Sequence, residues 1–193
     1  MAAARPGDER FDAARTAGAP RRAGPDLSID ALPAALISSP LDFLHAEHLR
    51  QRQFAKLLSL IADGLANERA IEAALKFVRT DLTLHILDEE ISFFPLLRPL
   101  CRPEDKIDDL IGVLAEEHRE DEKESEKLIE VLEHLLNGEA PSTRAAEILR
   151  SFSEHLKGHL ALENGVLLPL AKARMTPQSL QLLSQSILDR RRS

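Results

Sequence analysis

Two segments of the sequence place one set of residues at alternating intervals of four and three, the spacing of the buried seam in a helical bundle. The first seam consists of Ile71, Leu75, Val78, Leu82, His85, Glu89, Ser92 and Leu96. The second seam consists of Ala145, Leu149, Phe152, Leu156, His159, Glu163, Val166 and Leu170. The only titratable residues on either seam are a histidine and, four residues later, a glutamate. The spacing predicts two long amphipathic helices, each burying one such pair.

Helix-start and helix-stop residues predict two further long helices and a short final one. Serine and proline open the first helix, prolines bend or stop the second, and Asn137-Gly138 ends the third. The predicted bounds are about 40–66, 68–94, 103–137 and 141–168, with a short helix after Thr176-Pro177. We interpret the basic run at 189–192 as a solvated C-terminal turn. Strand patterns are missing, so the expected fold is all-α, an up-down-up-down four-helix bundle.

The helices fall into two similar halves. LHAEHLR (44–50) aligns with LAEEHRE (114–120), and HILDEEISFFPLL (85–97) aligns with HLALENGVLLPLA (159–171). Each half therefore supplies one histidine from its first helix and a His-x-x-x-Glu pair from its second. The bundle is predicted to be built from two helical hairpin repeats.

A single His-x-x-x-Glu pair on a helix is commonly a surface ion pair, but two copies on buried seams favour a metal site. Burying an unpaired carboxylate costs several kcal/mol, and two neighbouring carboxylates repel each other. Cations between the carboxylates remove both penalties. The predicted metal ligands are His48, His85, Glu89, His118, His159 and Glu163.

This set contains too many ligands for one tetrahedral zinc and suits two metal ions. With Glu89 and Glu163 as bridges, each ion receives two histidine nitrogens and two carboxylate oxygens. An octahedral ion then keeps positions for a solvent-derived bridge and for an external ligand. Such donors favour two iron ions (Fe²⁺/Fe³⁺), although manganese and zinc also accept them. Three additional candidate ligands lie close to the histidines in sequence: Glu122, His45 and His155.

In the order of its motifs the sequence resembles the hemerythrin-like, HHE cation-binding family, whose pattern is His, His-x-x-x-Glu, His, His-x-x-x-Glu. The resemblance covers residues 40 to about 172, and all six motif positions are present. It implies a non-heme di-iron centre with four histidine ligands and with Glu89 and Glu163 as bridges. It also implies reversible binding, sensing or reduction of oxygen, nitric oxide or peroxide.

Two departures from the family's oxygen carriers affect the functional interpretation. Those carriers have a fifth histidine where this chain has Glu122, and an aspartate five residues after the last-helix histidine, where this chain has Glu163 at four. A sensor, scavenger or iron-handling protein is therefore favoured over a simple oxygen carrier, and binding over enzymatic turnover. The open alternatives are a di-iron oxidoreductase, an iron-donating repair protein acting in peroxide or nitric oxide stress, and a zinc-binding structural bundle.

Composition excludes several other classes. A net charge of −7 argues against broad attraction to nucleic acid or anionic membranes, and phenylalanine is the only aromatic residue type. The single cysteine, Cys101, excludes a disulfide framework. No catalytic triad or phosphate-binding glycine-rich loop is present, so the expected partner is a small diatomic ligand or peroxide. No protein partner is indicated.

The N-terminal region differs in composition from the rest of the chain. Residues 1–36 are rich in Ala, Arg, Gly and Pro and have no apolar core of a secretory signal. We expect a disordered tail over 1–36, the bundle over 37–193, no membrane-spanning segment and a cytoplasmic location.

Overall fold

The computed structural model describes residues 29–192, which form helices and connecting turns without a strand among them. The five helices are α1 (Pro40–Ala62), α2 (68–97), α3 (Ile107–Leu136), α4 (143–174) and α5 (Pro177–Arg190). Short 3₁₀ turns occupy Ala34–Ser38, Arg98–Leu100 and Pro103–Asp105. The predicted all-α fold, with a short C-terminal helix, is confirmed.

The long helices pack as antiparallel neighbours. Near one end of the α1–α4 pair, Arg150 of α4 lies 2.7 Å from Asp63, just past the end of α1. Further along, the Ser153 hydroxyl donates to the Ala55 carbonyl at 2.8 Å. From Ala55 to Asp63 the residue numbers rise along α1, whereas those of their α4 partners fall from Ser153 to Arg150. The two helices therefore run in opposite directions. Helices α2 and α3 also pack together, and the four form the predicted up-down-up-down bundle.

Glycine ends the first helix earlier than the predicted residue 66. Gly64 adopts a left-handed φ of 68°, and its N–H donates to the Ile61 carbonyl at 3.0 Å. The Leu65 N–H donates to the Leu60 carbonyl at 2.9 Å, completing a Schellman motif after Ala62. The predicted end of the third helix at Gly138 has the same left-handed conformation, with a φ of 95°.

The third helix begins later than predicted. Pro103 opens a 3₁₀ turn that ends at Asp105, and Lys106 then takes a left-handed conformation with a φ of 49°. The regular helix therefore starts at Ile107.

Helices α2 and α4 contain wide π turns, at Phe77–Asp81, Glu89–Phe93 and Glu163–Leu167. The last two begin at the glutamates of the two His-x-x-x-Glu pairs. Because a π turn holds an extra residue, the seam moves forward by one position beyond each glutamate. In α4 the predicted seam residue Val166 is 47 % exposed, whereas Leu167 is fully buried. Both helices continue past Pro95 and Pro169, where a bend or stop was expected.

The hydrophobic core has two parts, and the His/Glu residues of each long helix lie near the point where one part ends and the other begins. One part is built around Phe54, Phe77, Leu132 and Leu149. The other is built around Leu44, Phe93, Leu114, Leu167 and Leu183 of α5. The polar residues thus occupy a layer across the bundle between two apolar regions.

Two of the three C-terminal arginines are not solvated, contrary to our interpretation of the sequence, whereas Arg192 is exposed in a turn. Arg190 and Arg191 both pair with Asp88, a fully buried carboxylate of α2. Arg191 lies 2.7 Å from the second Asp88 oxygen, and its guanidinium is 4.7 Å from the centre of the Phe43 ring. A buried carboxylate requires a partner, and α5 supplies it while packing against α1 and α2.

Most of the predicted tail, residues 1–28, lies outside the described residues, so its disorder stays a prediction. Within 29–36, the Asp30 carbonyl accepts a hydrogen bond from Arg50 Nε at 2.8 Å, and a 3₁₀ turn begins at Ala34. None of the described helices is long and apolar enough to cross a membrane.

Candidate metal centre

The six predicted ligands come together in the polar layer. Helix α1 supplies His48, and α3 supplies His118. Helix α2 supplies one His-x-x-x-Glu pair and α4 the other, since residues four apart lie on the same helical face. All six side chains are at most 3 % exposed: His48, His85, Glu89, His118, His159 and Glu163.

These residues form two groups of four that share both carboxylates. In each group, one nitrogen or oxygen atom per residue lies within 4.8 Å of the others. We call the group of His48, His85, Glu89 and Glu163 the His48–His85 subsite. We call the group of Glu89, Glu163, His118 and His159 the His118–His159 subsite.

In the His48–His85 subsite, the histidine Nε2 atoms face the carboxylates. His48 Nε2 lies 3.3 Å from Glu163 Oε2 and 3.8 Å from Glu89 Oε1. His85 Nε2 lies 3.6 Å from Glu89 Oε2. Each histidine therefore presents the same ring nitrogen to the shared carboxylates.

The His118–His159 subsite is arranged in the same way and is more compact. His118 Nε2 lies 3.5 Å from Glu89 Oε2, and His159 Nε2 lies 2.9 Å from Glu163 Oε1. The two Nε2 atoms are 3.2 Å apart. Four donors thus point at one small volume.

Outer carboxylates hold both histidines of the His118–His159 subsite. His159 Nδ1 donates to Glu117 Oε2 at 2.8 Å, and His118 Nδ1 donates to Glu90 Oε1 at 2.9 Å. Protonation of Nδ1 leaves the inward Nε2 with a free lone pair, the arrangement usual in metal-binding histidines. Neither carboxylate was predicted from the sequence, although each lies next to a predicted ligand.

The His48–His85 subsite has neutral surroundings. His48 Nδ1 donates to Asn164 Oδ1 at 3.1 Å, and the Asn164 amide is oriented by its own donation to the Leu160 carbonyl at 2.7 Å. Neither ring nitrogen of His85 has a hydrogen-bond partner among the described residues. Sequence alone did not reveal this difference between the subsites.

Most of the nitrogen and oxygen atoms that face the centre of the layer lack hydrogen-bond partners, as expected of metal ligands. Both oxygens of Glu89 and of Glu163, and the Nε2 atoms of His48 and His85, are buried without a hydrogen-bond partner among the described residues. Orphaned polar atoms are rare in protein interiors because each costs the free energy of lost hydration. A cation coordinated by these nitrogens and oxygens would satisfy them together, so the residues fit such a group.

The two glutamates have opposite protonation preferences. Burial, reinforced by the nearby Glu89 carboxylate, raises the pKa of Glu163 well above its usual range. Burial also disfavours charge on Glu89, but the neighbouring imidazoles, His85 first, outweigh it and hold the pKa of Glu89 well below its usual value. Without a metal ion, these surroundings therefore favour a charged Glu89 beside a protonated Glu163.

The histidines also differ in the direction in which their pKa is shifted. Complete burial lowers the pKa of His85 to about 3, so its imidazole is neutral at physiological pH. Burial opposes charge on His48 and His118 as well, but contact with Glu89 more than compensates and raises the pKa of each.

The three additional candidate ligands lie outside both subsites. His45 and Glu122 are exposed, and Glu122 lines a surface groove. His155 Nε2 lies 3.3 Å from Asp121 Oδ1, and Asp121 is 2 % exposed. The structure brings together the six motif residues without these three.

A groove between α2 and α3 leads to the His118–His159 subsite. Its volume is about 400 Å³, and its walls include the apolar side chains of Val78, Leu82 and Ile86. Glu90 and His118, which are hydrogen-bonded to each other, both line the groove, so the groove reaches the outer edge of this subsite.

The family model for the hemerythrin HHE cation-binding domain matches residues 39–171. The chain belongs to this family. The matched segment contains all six clustered residues and ends before α5. The buried histidine–glutamate cluster of this hemerythrin-like domain fits a metal-binding bundle. A search of curated protein sequences finds no significant match to the chain.

Proposed function

We propose that the six clustered residues bind two iron ions and that this hemerythrin-like protein binds or senses oxygen, nitric oxide or peroxide there. The observation that carries the proposal is the sharing of two buried, unsatisfied carboxylates by two pairs of histidines. One ion would leave part of this donor set unsatisfied, whereas two ions use all of it.

Each residue has a definite part in this proposal. Glu89 and Glu163, which belong to both subsites, would hold both ions, and their charges would neutralise part of the positive charge brought into the bundle. The four imidazoles would bind through Nε2, and the Nδ1 hydrogen bonds of His48, His118 and His159 hold three of them in orientation. The apolar regions on either side of the layer keep bulk water away, which strengthens every electrostatic interaction within it.

The donor count leaves room for a small ligand. Each subsite offers two nitrogens and the shared carboxylate oxygens, which is fewer than the six ligands of an octahedral ion. Iron bound there would supply open coordination positions and a change of oxidation state. The groove beside His118 supports access by a molecule as small as oxygen or nitric oxide.

The test is metal analysis of the full-length protein combined with visible spectroscopy. The apoprotein is loaded anaerobically with Fe²⁺, desalted, and analysed for iron and zinc per chain. Spectra are recorded before and after exposure to oxygen, to nitric oxide and to peroxide. We expect about two irons per chain and a spectral change with at least one of these ligands.

The outcomes separate the proposal from its alternatives. A colourless protein that takes up zinc and retains no iron would refute the iron assignment and support a structural zinc bundle. Two irons with multiple turnovers of peroxide or nitric oxide would replace binding or sensing with an oxidoreductase function.

A further inference from the structure

Each half of the bundle supplies a hydrogen-bond acceptor for a histidine of the other half. Glu90 follows the carboxylate of the first half and accepts from His118 of the second half at 2.9 Å. Asn164 is the equivalent of Glu90 in the second repeat, and it accepts from His48 of the first half at 3.1 Å. The geometry is conserved between the halves, but a carboxylate in one position corresponds to a neutral amide in the other.

A second equivalent pair breaks the symmetry further. Glu47 and Glu117 occupy the same position in the aligned stretches LHAEHLR and LAEEHRE. Glu117 accepts from His159 Nδ1 at 2.8 Å. Its equivalent, Glu47, would be expected to accept from His85 Nδ1, but that atom has no hydrogen-bond partner among the described residues.

Arg50 accounts for the missing contact. Its Nη1 atom donates to both oxygens of Glu47, at 3.1 and 2.9 Å, and its Nη2 atom donates to Asp81 at 2.7 Å. Both Arg50 and Glu47 are buried, so this pair is fixed in place. The residue equivalent to Arg50 in the second half is Glu120, which is exposed and negatively charged. Among residues 29–192, no basic side chain forms an ion pair that withdraws Glu117 from His159.

The difference bears directly on metal binding. A carboxylate that accepts the Nδ1–H of a histidine increases the basicity of the opposite nitrogen and fixes its orientation. Loss of such a partner typically lowers metal affinity about 10- to 100-fold. The His118–His159 subsite has two of these carboxylates, whereas the His48–His85 subsite has an amide and no second partner.

We propose that the two subsites are unequal, with the His118–His159 subsite filling first and the His48–His85 subsite holding the more readily exchanged ion. Glu117 and Glu90 are positioning residues for the first ion, and Arg50 keeps Glu47 from doing the same for the second. The inference rests on the proposed function insofar as the site binds two metal ions.

The observation that two metal ions bind one after the other would not by itself show that the subsites are unequal. Two cations that share the same carboxylates repel each other, so even equivalent subsites would fill in two steps. The decisive comparison is between variants at the equivalent positions, Glu117→Gln and Glu47→Gln. A glutamine at 117 can still accept from His159 Nδ1 but carries no charge, so the hydrogen bond is kept while the electrostatic support is removed.

The experiment is a titration of the full-length apoprotein with Co²⁺, followed by calorimetry and by visible absorbance. We expect Glu117→Gln to weaken the first binding step about 10- to 100-fold. The Glu47→Gln variant should leave the first step unchanged. The Glu90→Gln variant should weaken the first step in the same direction as Glu117→Gln, and circular dichroism of each apoprotein checks that folding is retained.

Three results would overturn the inference. If Glu117→Gln and Glu47→Gln affect the first step equally, or if Glu117→Gln alters only the second step, the subsites are not ordered as proposed, although two metals still bind. If the unmodified protein binds no Co²⁺ and no Fe²⁺, the proposed function fails together with the inference.

Discussion

His118 and His159 bring their Nε2 atoms to within 3.2 Å of each other in the middle of the bundle. Each imidazole donates its Nδ1 hydrogen to an outer carboxylate, Glu90 for His118 and Glu117 for His159. While both imidazoles are neutral, their inward nitrogens carry lone pairs that face one another in a buried layer. A proton on one of these nitrogens, or a metal ion between them, removes the repulsion, so the contact marks a place where the bundle favours a positive charge.

The bridging role of the glutamates can be tested by substitution. Replacing Glu163 with alanine removes a carboxylate from both subsites, and we expect the protein to retain fewer than half of the metal ions of the unmodified chain. Glu89→Ala should have the same effect. His45→Ala is the matched control, since His45 is exposed and lies outside both subsites. Equal metal content in all three variants, measured after desalting, would contradict the bridging assignment.

The thermal stability of the metal-free protein should depend on pH differently from that of the metal-loaded protein. The pKa of His48 and of His118 is raised above the usual 6.5, and the pKa of Glu163 is raised above 4.5. In the metal-free protein these groups favour the folded state while protonated, so their contribution is lost as pH rises through the folded pKa values. Glu89 is deprotonated in both states above pH 6.5. His85 is still partly protonated in the unfolded state at that pH, because its ordinary pKa is 6.5, so its opposing contribution ends only at about pH 7.5.

We therefore expect the melting temperature of the metal-free protein to fall as pH rises above about 7.5. Metal ions replace the protons, so the loaded protein should not show this loss, and the difference between the two melting temperatures should widen as pH rises. Thermal unfolding with Zn²⁺ and with a chelator, at several pH values, measures the difference. A gap that narrows with rising pH would contradict the assigned direction of these pKa shifts.

The contact between α5 and the bundle depends on Asp88. Asp88→Asn leaves Arg190 and Arg191 without their buried charge partner, and we expect a loss of about 3 kcal/mol in the free energy of unfolding. The matched control is Asp108→Asn, which removes an exposed pair with Arg98 and should have little effect. Urea denaturation of the metal-free proteins measures both, and equal stabilities would show that α5 is not held through Asp88.

The larger apolar region depends on a group of phenylalanines. Phe54 is fully buried, with its ring centre 4.8 Å from that of Phe77 and 6.2 Å from that of Phe152. Phe54→Ala should lower the free energy of unfolding by about 3–5 kcal/mol, because it leaves a cavity among well-packed side chains. Leu182→Ala is a suitable control, since Leu182 is 52 % exposed and its truncation should change stability little.

Sequence patterns predicted the elements that depend on local periodicity. The four-three spacing correctly indicated that His85, Glu89, His159 and Glu163 face the interior, because side chains four apart share a helical face. It failed beyond the glutamates, where π turns move the buried position from Val166 to Leu167. A constant helical repeat cannot anticipate an inserted residue in one turn.

Features that depend on contacts between distant segments were not accessible in the same way. The pairing of Arg191 with Asp88 and the separation of Glu47 from His85 by Arg50 require the tertiary structure. The repeat alignment nevertheless contained a signal for the outer partner of His159, because Glu117 and Glu47 match across the two halves. That match acquires its meaning only when the structure shows which of the two reaches a histidine.

The most direct test of the metal centre is a crystal structure of the iron-loaded protein with anomalous data collected on both sides of the iron absorption edge. We predict two iron peaks in the polar layer, both between Glu89 and Glu163. One peak should be bound by His48 and His85, and the other by His118 and His159. A single peak, or iron bound at His155 and Asp121 instead, would contradict the account.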